Sequence, residues 1–200
     1  MNSVESAALA HALNDPAEPP LRPLPDRVAE LLRSLDCPPR LAAHLRLVHD
    51  VAWQITDWIQ RRHPGLRVDR RAVLFGAATH DIGKSVHVAE LSGPGSAHEP
   101  AGRDLLLRHG FDDDLARFAA THASWTEPGV TLDDLLVSLA DKAWKNRRVP
   151  DLEDLVVAHM TRATGGRPWE EYAALDDLLT DIGDAADLRL TFQAAYPIHG

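Results

Sequence analysis

The sequence predicts an all-α fold, a single-domain helical bundle, and three observations carry that prediction. Leu41, Leu45, Val48, Ala52, Ile55 and Ile59 fall on one stripe at 100° per residue, the mark of a long amphipathic helix. Gly110, Pro128-Gly129, Pro150, Gly165-Gly166 and Gly183 punctuate the second half at helix-length intervals. No run of alternating apolar residues is long enough for a strand, and there is no internal repeat.

The elements follow in order. Residues 1–14 read as a short helix. Residues 15–25, DPAEPPLRPLP, are Pro-rich and read as an extended linker. Asp26 can cap a helix reaching about Asp36, and Pro38-Pro39 breaks the chain again. The striped helix then runs from about Leu41 to Arg62, where His63-Pro64-Gly65 ends it. Asp69 can cap the next helix, RRAVLFGAATHDIG, which is apolar on most sides and therefore central. Residues 84–96 read as a loop with one turn of helix at most. Further helices are expected near 97–109, 112–123, 131–146, 151–163, 168–182 and 184–195, the third opened by Thr131 with Asp133 and Asp134. Residues 1–25 are thus an N-terminal helix and linker, and 26–200 form the helical domain.

Composition narrows the function classes. With 44% apolar and 26% charged residues, the 200-residue chain can bury a core and is not a disordered segment. A net charge of −9 argues against a partner that is a nucleic-acid polymer. It leaves room for a phosphorylated small molecule, because a bound metal reverses the local field. The single cysteine, Cys37, is read as a half-buried helix-end residue in a reducing compartment. The first residues carry acids and no basic stretch, and no apolar run is long enough for a bilayer. The expectation is therefore a cytoplasmic protein without a membrane partner.

Eleven histidines are many for this length, and their positions matter. In ATHDIGKS, residues 78–85, His80 and Asp81 are adjacent at the end of an apolar helix. Neighbours on a helix point about 100° apart, so they converge on one ion only at a helix end, which Gly83 is expected to supply. His44 flanks the apolar stripe, and Asp141 lies among apolar neighbours in LLVSLADKAWK, where a carboxylate is costly unless paired or ligated. Such a mixed nitrogen and oxygen set suits Mn, Fe, Co, Ni, Zn or Mg. His49-Asp50 is a second His-Asp pair, but Asp50 falls opposite the stripe and is expected to be solvated.

The order of a His, then His-Asp within HDIGK, then an Asp within ADK resembles the HD-domain metal-dependent phosphohydrolase superfamily, with the matched core running from His44 to Asp141. The resemblance implies an all-helical fold and a divalent metal held by His44, His80, Asp81 and Asp141. His44 fits its first motif better than His49, because Val48 and Ala52 follow at the matching steps. Binuclear members place two more histidines between the His-Asp pair and the last Asp. His98 and His122 stand there, so one or two ions are expected, with Asp81 as the bridge. The Gly-Tyr-Pro signature of the cyclic-dinucleotide phosphodiesterases is replaced here by Trp125-Thr126-Glu127-Pro128.

The activity so implied is hydrolysis of a small phosphoester, with metal-activated water as the nucleophile. Asp81 would take the water proton and Lys84 would stabilise phosphate charge. Lys142, Lys145 and Arg103 rank behind Lys84, since a lysine beside an acidic helix is usually a solvated charge. Gly93 and Gly95 could bring backbone N–H groups of the loop after Glu90 near a phosphate. A diiron oxygenase with the same ligand order and a non-catalytic metal- or nucleotide-binding module are the alternatives. His11, His49, His63, His109, His159 and His199 read as surface or satisfied core residues, His87 is open, and the tryptophans read as packing, with Trp125 the one to watch.

Overall fold

The computed structural model describes residues 7–198, and among them helices are joined by turns with no strand. The helices are α1 (Ala7–Asn14), α2 (Asp26–Ser34), α3 (Pro39–Arg62), α4 (Arg70–Thr79), α5 (His98–Arg108), α6 (Asp113–Thr121), α7 (Leu132–Ala143), α8 (Pro150–Thr164), α9 (Pro168–Gly183) and α10 (Ala186–Ala194). Residues 1–6 of the expected first helix, and His199, lie outside the described residues.

Local chemistry explains the boundaries. Asp69 caps α4 by accepting from the Ala72 N–H at 3.0 Å. Thr131 and Asp134 form a reciprocal capping box at the start of α7. Asp26 is not a cap. It is the first residue of α2, with Pro25 ahead of it, and contributes only its charge at the positive end of the helix. Pro39, Pro150 and Pro168 open α3, α8 and α9, where a missing N–H costs nothing. Residues 84–96 hold one short 3₁₀ segment, Val88–Leu91, the single turn expected there, and another, Ile82–Ser85, runs into their start.

The core has two apolar clusters, and α3 and α4 contribute to both. In one, Leu47, Val51 and Ile55 pack with Val73, Phe118, Leu136 and Trp144. In the other, Leu41, Leu45 and Ile82 pack with Leu9, Leu32 and Leu106. Gly76 is needed where α4 crosses α6, because a Cβ there would lie 2.6 Å from the Phe118 ring and 2.8 Å from Val137. Cys37 is fully buried rather than half-buried, and burial pushes its thiol well above the usual range.

Asp50 corrects an expectation: it is 1% exposed, not solvated. The segment 15–25 folds back across that face of α3. Arg46, itself buried, donates to the carbonyls of Ala12, Asp15, Leu21 and Arg22 and so holds the segment down. Asp50 Oδ1 then accepts from Arg22 Nη1 at 2.7 Å and Oδ2 from Gln54 Nε2 at 2.8 Å. A buried carboxylate is tolerable with such partners.

Candidate metal centre

Five of the six expected ligands stand at or next to helix ends. His80 and Asp81 directly follow α4, His98 opens α5, His122 directly follows α6, and Asp141 is near the end of α7; His44 stands further inside its helix, α3. The break that separates His80 from Asp81 comes earlier than Gly83. His80 keeps helical dihedrals (φ −52°, ψ −37°), whereas Asp81 (φ −102°, ψ 10°) turns the chain and aims its carboxylate back.

Gly83 does a different job. A Cβ on it would collide with the His98 carbonyl and lie 2.7 Å from the Gly102 nitrogen. Its absence lets the Ile82–Ser85 segment lie directly on the first turn of α5, which brings His98 to Asp81.

The six side chains are buried and form two triads. His44, His80 and Asp141 offer atoms that all lie within 4.8 Å of one another, and so do Asp81, His98 and His122. Asp81 faces both groups. Its Oδ2 lies 3.2 Å from His44 Nε2 and 3.6 Å from His80 Nε2. Its Oδ1 lies 3.1 Å from His98 Nε2 and 3.5 Å from His122 Nε2. His49 is also buried but joins neither triad, and burial lowers its pKa to about 4.

Tautomers follow from the partners. His80 Nδ1 lies 3.0 Å from the Ala77 carbonyl and His122 Nδ1 3.1 Å from the Ala119 carbonyl. His98 Nδ1 lies 2.6 Å from Glu90 Oε2. A carbonyl or ionised carboxylate can only accept, so each Nδ1 donates and each Nε2 presents a lone pair to the interior. Those lone pairs meet carboxylate oxygens: His98 Nε2 has no hydrogen-bond partner despite standing close to Asp81, and His80 Nε2 lies 3.5 Å from Asp141 Oδ1. Acceptors facing acceptors repel unless a cation lies between them, so this donor set fits divalent metal, with outer partners fixing the rings.

Protonation agrees. Burial alone would raise the Asp81 and Asp141 carboxyls, but the neighbouring histidines, His80 above all, hold both well below the usual carboxylate range. Burial lowers His44, and lowers His122 to about 4, whereas at His98 the neighbouring Asp81 and Glu90 carboxylates outweigh burial and raise it. Anionic carboxylates and neutral imidazoles are the forms that ligate.

Lys84 Nζ lies 2.6 Å from Asp81 Oδ2. His87, open in sequence, opens the second 3₁₀ segment and joins neither triad. Glu90 was missed as a site residue. Besides His98 Nδ1, its carboxylate accepts from the N–H groups of Ala97 and His98, so it both caps α5 and orients a ring of the second triad. Gly95 serves that carboxylate, since a Cβ there would overlap it; the structure gives this glycine a packing reason rather than a phosphate-binding one. The eight-residue gap between Glu90 and His98 spans a loop, so no helical period could have linked them.

The family model described as HD domain matches residues 27–158, more than half of the chain. No curated protein and no solved structure matches it.

Proposed function

The chain belongs to the HD domain family, and from that premise we propose that it is a metal-dependent phosphohydrolase acting on a small phosphoester. The observation that carries this is Asp81, whose two oxygens each face one buried triad. HD domains bind divalent metals and are typically hydrolases. At this site divalent cations would supply Lewis acidity and lower the pKa of a bound water.

The chain's own residues do the rest. Asp81 and Asp141 provide the negative charge, and His44, His80, His98 and His122 provide nitrogen donors. Asp81, with an oxygen toward each triad, would hold and orient the ions and is also the carboxylate placed to take the proton of an attacking water. Lys84, partly exposed and beside Asp81, is placed to offset phosphate charge. The acidic surface favours a small substrate over a nucleic-acid polymer. No described helix is long and apolar enough to cross a membrane.

The test is reconstitution. The purified protein is stripped with chelator, reloaded separately with Mn, Fe, Co, Ni, Zn or Mg, and assayed on a panel of phosphoesters. Hydrolysis that returns with metal supports the reading. No metal uptake, or uptake without turnover of any ester, rejects it. Turnover of oxygen with iron alone would favour the diiron alternative.

Glu90 gives a second check. Glu90→Ala is expected to weaken metal binding by about 10- to 100-fold, the usual cost of losing the outer partner of a ligating histidine. Glu90→Gln, whose amide oxygen still accepts from His98 Nδ1, should lose less. Competition against a chelating dye measures both.

A further inference from the structure

The chain has three lysines, Lys84, Lys142 and Lys145, against eighteen arginines. All three gather at the histidine–aspartate cluster, from two sides. Lys84 comes from the 3₁₀ segment and reaches Asp81 Oδ2 at 2.6 Å. Lys142, on α7, reaches Asp141 Oδ2 at 2.5 Å, and its Nζ lies 5.6 Å from the Trp125 ring. Lys145, just beyond α7 and half-buried, is close enough to Asp141 and Asp81 to feel both charges. Its Nζ lies 5.4 Å from the Trp144 ring, whose edge meets His44.

The lysine side chains keep some exposure, 19% for Lys84 and 12% for Lys142, while all six triad residues are buried. They therefore mark the side from which solvent and solutes reach the cluster. Glu99, half-buried on α5, is a further acid at this edge.

Two of these ammonium groups rest on the same carboxylates that the divalent ions need. A cation taking Asp81 and Asp141 removes much of that attraction and repels the ammonium groups. An ammonium on a flexible four-carbon stem can then swing to an incoming anion, which a planar guanidinium fixed in a bidentate pair does less readily. Lys84 stands at the Asp81 end and suffices for one phosphoryl group on the metals. Lys142 and Lys145 stand at the Asp141 end, where Glu99, near Lys142, is one acid for two ammonium groups.

We propose that Lys142 and Lys145 form a second anion subsite beside the metal centre, so that the preferred ligand carries two linked phosphoryl groups, a phosphoanhydride rather than a monoester. The proposal rests on the phosphohydrolase reading above. In a chain of net charge −9, it also explains how a polyanion is drawn to this edge.

The experiment is calorimetric titration of the metal-loaded protein with inorganic phosphate and with pyrophosphate. Parent, Lys145→Met and the double variant Lys142→Met/Lys145→Met are compared. Elemental analysis before and after titration checks that metal stays on the protein. The parent is expected to bind pyrophosphate at least tenfold tighter than phosphate. The double variant should keep its metal and its phosphate affinity but lose most of that preference, with Lys145→Met in between. Equal affinities in the parent, an unchanged preference in the double variant, or loss of metal from that variant would each overturn the subsite. A parent that takes up no metal defeats the phosphohydrolase reading as well, and is recognised before any anion is added.

Discussion

Asp81→Ala is expected to take the purified protein from one or two equivalents of divalent metal to a trace, and to abolish any phosphoester hydrolysis. Both triads depend on this residue, because its Oδ2 faces His44 and His80 and its Oδ1 faces His98 and His122. Loss of an outer partner alone costs about 10- to 100-fold in affinity, so loss of a carboxylate shared by two positions should exceed that range. Asp81→Asn should behave similarly, since an amide keeps the shape but not the charge. The fold is expected to persist. The metal-free site confines two carboxylates among histidine lone pairs, and removing one relieves that crowding instead of opening an apolar cavity. Elemental analysis beside a thermal melt followed by circular dichroism decides the matter. A variant that loses its helices would make Asp81 chiefly structural, and one that keeps its metal would remove it from the centre.

Gly83→Ala is expected to cost about 1–3 kcal/mol, the range for forcing extra atoms into packed structure. The added Cβ would meet backbone on the far side, the His98 carbonyl and the Gly102 nitrogen, and backbone cannot rotate away as a side chain can. The first turn of α5 must therefore move, taking His98 off Asp81 Oδ1. His44, His80 and Asp141 form the other triad, so metal content should fall toward a single equivalent rather than to none. Gly65→Ala is the control. A Cβ there has open space, and the change should be neutral or stabilising by up to about 1 kcal/mol through the unfolded chain. Calorimetric melting and metal stoichiometry measure both variants. A Gly83→Ala protein that melts like the parent and holds the same metal would show that the close approach is not required.

The helical stretches were legible because their signals are local. The stripe on α3, the Asp69 cap, the helix start at Thr131 and the break at Pro150 all act within a few residues of where they are read. The HDIGK stretch was legible for the same reason, and the structure brings all six residues named from sequence into two adjoining triads. Misplacing the helix break at Gly83 had a local cause too: glycine ends helices often enough that its second use, close backbone approach, went unread.

What sequence alone determined, then, was the all-helical class, most helix positions and the order of the residues at the centre, because periodicity, capping and motif spacing are properties of neighbours along the chain. Tertiary structure decided the rest. Asp50 is buried because the 15–25 segment folds over it, Glu90 orients His98 across a loop, and Lys84 is brought to the same cluster as Lys142 and Lys145 although their elements lie far apart in the chain. Each of these depends on which faces of separate elements meet, and that is settled by packing between elements, where no periodicity along one helix can reach.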